Sequence, residues 1–253
     1  MYEKWKGVHT RCAFNMIQEL IPLTRPRTLA AALGPTILGA AFSYYAFGAA
    51  QGTGLAIFHT MLIFLAVVTA QIVANLWNEY KDFKSGLDAG QKVGNAGSIT
   101  RGVITPELII TMIKVLMFVP IIIGLYLSAT ITWYYIPVGF LCILISFLYS
   151  GGPKPISRTP FGEISSGIAM GFTIVLITGY AWIRELSLAL LIPAIPSTLL
   201  VGSIMLTNNI RDIRNDESHG RHTLPIVLGR ERALSLMSIS YIFNFIWIIA
   251  WII

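Results

Sequence analysis

The sequence predicts an all-α fold, a multi-pass transmembrane helical bundle of about seven spans. Three observations carry that prediction. Of 253 residues, 55% are hydrophobic and only 12% are charged, with a mean hydropathy of +0.70. A helix needs about 20 apolar residues to cross a bilayer, and such runs recur over roughly 28–48, 54–77, 106–127, 131–149, 161–183, 187–207 and 233–253. None of these runs alternates with the period of two that a barrel strand requires.

Residues 1–27 are mixed and lack an apolar core ahead of a small-residue cleavage site, so they do not read as a cleaved signal peptide. Residues 8–20 read as an interfacial helix. The first span follows Thr24-Arg-Pro-Arg-Thr28, and the second runs into Asn75-Leu-Trp-Asn78-Glu79-Tyr-Lys-Asp82. Lys114, about two turns into the third span, is expected to snorkel toward the nearer surface. Trp133, Tyr134 and Tyr135 form an aromatic belt before the fourth. Between the fourth and fifth spans lies Tyr149-Ser-Gly-Gly-Pro-Lys154-Pro-Ile-Ser-Arg158-Thr-Pro-Phe-Gly162-Glu163, too rich in glycine and proline to continue a helix. Pro160 is well placed to open the fifth span. Cys12 and Cys142 read as small buried residues without a disulfide. The whole of 1–253 reads as a single membrane domain.

Charge sets the orientation. Of 18 basic residues, 16 fall before span 1 or between spans 2 and 3, 4 and 5, and 6 and 7, all on one side. The opposite loops, such as Ala50-Gln-Gly-Thr53 and Ser128-Ala-Thr-Ile-Thr132, are short and nearly uncharged. The positive-inside rule then places the N-terminus and the charged loops in the cytoplasm. The net charge of +6 is a topology signal and does not imply nucleic-acid binding.

Two similar polar signatures end even-numbered spans on that side. They are Asn78-x3-Asp82, followed by Asp88, and Asn208-x3-Asp212-x3-Asp216. Four-residue spacing stacks each set on one helical face. The matching positions suggest a duplicated unit of about four spans. One such cluster is ordinarily a solvated helix end. Two on matching spans point to a site where carboxylates accept a cost near the membrane to hold something positive between them. Carboxylate and amide oxygens suit Mg²⁺, which takes one or two protein carboxylates and completes its shell with water and phosphate oxygens. Asn78, Asp82, Asp88, Asn208, Asp212 and Asp216 are therefore the candidate metal ligands, for two ions bridged by a diphosphate. Glu79 and Glu217 point away from the rows and read as surface or supporting residues. Arg101, Lys154 and Arg221 are the basic candidates for diphosphate oxygens, although cytoplasmic loops are commonly basic. His219 and His222 read as surface or hydrogen-bonding residues.

These residues resemble the UbiA superfamily of intramembrane prenyltransferases. Thr24-Arg-Pro-Arg-Thr28 and the two Asn/Asp motifs carry the resemblance. Gly94-Asn-Ala-Gly97-Ser-Ile, Tyr149-Ser-Gly-Gly-Pro153, Gly162-Glu163 and Gly220-Arg221-x-Thr223-Leu224 make it most similar to the menaquinone-pathway branch, which prenylates 1,4-dihydroxy-2-naphthoate. The resemblance implies a bundle with a central cavity open sideways to lipid. It implies Mg²⁺-dependent transfer from a polyprenyl diphosphate to an aromatic acceptor, with decarboxylation to a demethylmenaquinone. Asn78, Asp82, Asp212, Asp216 and Tyr149 would be the catalytic residues, and Arg101, Lys154 and Arg221 would bind diphosphate. The implied location is a bacterial-type cell membrane. Other acceptors of the superfamily are alternatives: 4-hydroxybenzoate, homogentisate, haem or chlorophyll precursors, or lipids. A small transporter is a distant alternative, because the polar residues gather at one end only. The sequence departs from the superfamily in two respects. Nine spans are typical, so seven imply a bundle lacking a C-terminal helix pair. The common Tyr-x3-Lys pattern is absent, since Lys154 lies five positions after Tyr149.

Overall fold

A computed structural model describes residues 20–86 and 97–252. Among these every regular element is helical. In chain order they are α1 (Ala30–Phe47), α2 (Thr53–Ser85), α3 (Pro106–Thr130), α4 (Tyr135–Ser150), α5 (Gly162–Ile183), α6 (Leu191–Arg211), the short α7 (Ile213–Ser218) and α8 (Leu224–Leu228), and α9 (Arg230–Ile252). The seven apolar runs each become a helix. Six are long and apolar enough to span a bilayer, and α4, at 16 residues, is shorter. The proposed interfacial helix over 8–20, together with Cys12, lies almost wholly outside the described residues, as does Asp88.

The helices pack as a bundle in which α5 touches α1, α2 and α6, while α2 also packs on α3 and α4, and α6 on α9. Small residues permit the closest approaches. A Cβ at Gly167 would stand 2.6 Å from the Thr198 carbonyl oxygen, and one at Gly171 would stand 2.6 Å from that of Ser197. This pair lets the backbones of α5 and α6 meet where apolar side chains gain nothing over lipid. The same stretch, Gly167–Phe172, is a π-helical turn within α5. The outward surface is oily. Phe118, Ile122, Phe140, Phe245 and Ile246 are all more than half exposed, an arrangement suited to hydrocarbon rather than water.

One position at the end opposite the motifs differs from expectation. Trp133 and Tyr134 are exposed, as a belt requires, but Tyr135 is 7% exposed. Its hydroxyl donates to the Ile177 carbonyl at 2.6 Å, which makes it an interior strut between α4 and α5. At the same end Arg184 donates to the Thr130 carbonyl and to Gln51 Oε1, tying three turns together.

Candidate active site

The site is assembled at the ends of α2, α4 and α6 and the beginning of α5. Helix α2 runs past its apolar stretch to Ser85 and carries Asn78, Glu79 and Asp82. Gly86, at φ 74°, stops it in a left-handed cap that a side chain would resist. Helix α6 ends at Arg211. Asp212 then adopts φ −96°, ψ 8°, and α7 resumes at Ile213. The four-residue row nevertheless persists through its backbone bonds. Asp212 N donates to Asn208 O at 3.0 Å, and Asp216 N donates to Asp212 O at 2.9 Å.

One guanidinium joins the two motifs. Arg221 Nη2 lies 3.3 Å from Asp82 Oδ1, and its Nη1 lies 3.2 Å from Asp216 Oδ1. All three side chains are largely buried. Residues 139 apart in sequence are thereby held at one point. The loop bearing Arg221 is itself fixed, since Arg221 N donates to Asp216 O at 3.0 Å and His222 N donates to Arg158 O at 3.0 Å. Burial pushes the Asp216 carboxyl above its ordinary value, and the Arg221 charge pulls it back.

The remaining expected residues fall into place unevenly. Asn78 accepts from Ser150 Oγ at 2.9 Å, which links the first motif to the end of α4. Tyr149, one residue earlier, is within electrostatic reach of Glu163, Arg221 and Arg25. Asn208 is half-buried. Asp212 is more open, and both its oxygens are taken by its neighbour Arg211, at 2.9 and 2.8 Å. Arg101 is exposed and donates to Ser98 Oγ at 3.2 Å. Lys154 is exposed on the α4–α5 loop, and His219 is likewise exposed. Lys114 is exposed on α3, as snorkelling requires.

Of the two readings, surface or supporting, Glu79 takes the second: it is 2% exposed. Its carboxylate accepts from the backbone N–H of Gly97 at 3.2 Å, of Ser98 at 2.6 Å and of Ile99 at 3.4 Å. It lies one residue beyond Asn78, so its side chain leaves the Asp row at about 100° and reaches the turn leading to Arg101. Glu217 is exposed, as expected.

Four residues escaped the sequence argument. Arg25 and Arg158 join Arg221 as cations acting on Asp82. Arg25 holds φ 49°, a left-handed conformation unusual for arginine. Its segment is clamped to α2, because Asn75 Nδ2 donates to the Thr24 carbonyl at 3.1 Å and Gln71 Nε2 to that of Thr28 at 2.7 Å. Clamping of this kind keeps a strained residue in place. Glu163 is 6% exposed at the start of α5 and accepts from Asn209 Nδ2 at 2.8 Å. The arginine before Pro26 and the Asn208-Asn209 doublet were the available signals.

The donor set is chemically suited to Mg²⁺. Among the described residues no three Asp, Glu, His or Cys side chains converge as a protein-only cage. Asp82 and Asp216, which share the Arg221 guanidinium, with Asp212 and the two amides on the same rows, instead suit an ion that completes its shell from water and phosphate. Asp82 and Asn78 from one motif, and Asp212, Asp216 and Asn208 from the other, are the residues that fit.

Known proteins share the sequence and the fold. Residues 32–253 match the UbiA prenyltransferase family. The chain is 38% identical over 246 residues to 1,4-dihydroxy-2-naphthoate octaprenyltransferase of Bacillus subtilis, covering 94% of this chain and 75% of that protein. It is 30% identical over 231 residues to the Mycobacterium tuberculosis protein of the same name, covering 89% and 76%. In fold it is similar to a UbiA homologue from Archaeoglobus fulgidus bound to GPP and Mg²⁺. There the TM-score is 0.67 at 18% identity, over 90% of this chain and 76% of that one. This chain, with its two Asn/Asp motifs joined at one end of a helical bundle, belongs to the UbiA prenyltransferase family.

Proposed function

We propose that this protein transfers a polyprenyl group from polyprenyl diphosphate to 1,4-dihydroxy-2-naphthoate. The carboxylate leaves as CO₂, and the product is a demethylmenaquinone in its quinol form. The observation that carries this reading is Arg221 bridging Asp82 and Asp216 at the end of an apolar bundle. That end can take a charged diphosphate while the oily tail stays among apolar helices or lipid. The relatives named for the same reaction supply the acceptor.

Asn78 and Asp82 would hold one Mg²⁺, and Asp212 and Asp216 the other, with Asn208 supporting. Asp88 would assist through water. Bound Mg²⁺ supplies neutralising charge to the leaving diphosphate. Arg221, Arg101, Lys154 and the newly placed Arg25 and Arg158 add fixed positive charge for the same group. The allylic C–O bond breaks with its electron pair going to diphosphate. A ring carbon of the acceptor forms the new C–C bond, and the electrons of the C–CO₂⁻ bond return to the ring. Tyr149, within electrostatic reach of Arg221 and Arg25, would stabilise the allylic cation or orient the ring. The N-terminus and motif loops face the cytoplasm of a bacterial-type cell membrane, and residues 1–253 act as one membrane domain.

The test uses membranes containing this chain, Mg²⁺, a radiolabelled polyprenyl diphosphate and a panel of acceptors. Label should enter a lipid product with dihydroxynaphthoate, and carboxyl-labelled acceptor should release ¹⁴CO₂. Product formed only with 4-hydroxybenzoate or homogentisate would overturn the acceptor assignment.

A further inference from the structure

A carboxylate oxygen at the start of α5 has no partner. Glu163 Oε1 is held by Asn209, but its Oε2 is buried and makes no hydrogen bond among the described residues. Leaving such an atom unpaired is costly, and native interiors rarely do so without a reason. Nor is the side chain free to turn toward water. Asn209 fixes one oxygen, and the Glu163 backbone sits so close to α6 that a Cβ at Gly202 would stand 3.3 Å from its carbonyl oxygen.

The surroundings suggest what completes it. Glu163 and Ser166 both act on the Tyr149 phenol. Gly162 brings the start of α5 up to this group, since a Cβ there would lie 3.4 Å from the Tyr149 hydroxyl oxygen. This group of oxygens borders the arginine-rich cluster, but an ionised Glu163 carboxylate would repel diphosphate. A neutral hydrogen-bond donor fits instead.

We propose that Glu163 Oε2 accepts a hydrogen bond from a ring hydroxyl of the aromatic acceptor. This rests on the acceptor reading given above. In dihydroxynaphthoate the hydroxyl concerned is the one at C4, farther from the acceptor's own carboxylate, because two carboxylates repel. Glu163 is then a specificity-determining residue that orients the ring. No covalent bond is made or broken at it.

The experiment measures steady-state kinetics of the full chain with two naphthoates. One is the substrate 1,4-dihydroxy-2-naphthoate. The other is 1-hydroxy-2-naphthoate, which lacks the C4 hydroxyl and serves as a competitor. Glu163→Gln is isosteric and keeps an oxygen for Asn209. It should raise KM for the dihydroxy acceptor by about 10-fold, the scale of a hydrogen bond to a charged group. The inhibition constant of the monohydroxy competitor and the KM for prenyl diphosphate should stay within about 2-fold, the range of a change that touches neither ligand. If Glu163→Gln fails to fold, Glu163→Asp, which keeps the charge but withdraws it, is read in the same way. A change that weakens both naphthoates equally, or neither, overturns the proposal. Wild-type protein that does not turn over dihydroxynaphthoate fails the acceptor reading itself, a distinct outcome that takes the C4 assignment with it.

Discussion

At Asn78-x3-Asp82 the helix continues to Ser85, whereas at Asn208-x3-Asp212 it stops at Arg211 and restarts at Ile213. The two motifs share a spacing and differ in backbone. The unbroken one presents Asp82 as a largely buried carboxylate facing Arg221. The broken one divides its acids. Asp212, at the break, is half-exposed and paired with Arg211, while Asp216 is buried against Arg221. The residue after each asparagine completes the contrast. Glu79 binds three backbone N–H groups of the 97–99 turn, and Asn209 binds the carboxylate of Glu163. Backbone donors call for an acceptor and a carboxylate calls for a donor, so acid stands in one motif and amide in the other. The Asp rows build the charged site, and their neighbours fix the elements around it.

This comparison is most exposed to mutation of the acids themselves. Asp82→Ala and Asp216→Ala should each lower kcat/KM by about 100-fold or more, the scale seen when a charge-stabilising group is removed. Asp212→Ala should also be damaging but less so, because that carboxylate is more open. Equal losses at all three positions in prenyl-transfer assays would mean the helix break has no functional consequence.

Stability separates the two motifs next. Arg221→Ala leaves two buried carboxylates facing each other and should cost roughly 3 kcal/mol, read as a lowered denaturation midpoint in detergent. Glu79→Ala strands three N–H groups and should cost about 2 kcal/mol. It should also speed proteolysis near residues 97–101. Its exposed counterpart Glu217→Gln should change activity by no more than about 2-fold, as surface substitutions generally do. Damage at Glu217 matching that at Glu79 would erase the distinction drawn here.

Much of this was legible beforehand because lipid imposes simple rules. Length and hydropathy located all seven apolar helices, and four-residue spacing picked out Asp82 and Asp216, which Arg221 joins. Helical periodicity gives direction around an axis but not what lies there. It therefore turned Glu79 away from the Asp row without revealing the 97–99 turn that buries it. The break at Asp212 was invisible because no glycine or proline marks it. Arg25 and Arg158 looked like ordinary loop cations until the chain brought them to Asp82. Tyr135 was grouped with its belt neighbours, since only the packing of α4 on the rest of the bundle turns its ring inward.

The central claim is that both motifs form one diphosphate site. The most direct test is the thermal midpoint of the purified chain with Mg²⁺, with a prenyl diphosphate, and with both. Wild-type protein should gain more from the pair than from the sum of the two alone, because bound ligand stabilises by mass action. Asp82→Ala and Asp216→Ala should each abolish that excess. If one variant keeps the full excess while the other loses it, the motifs serve separate sites and the account is wrong.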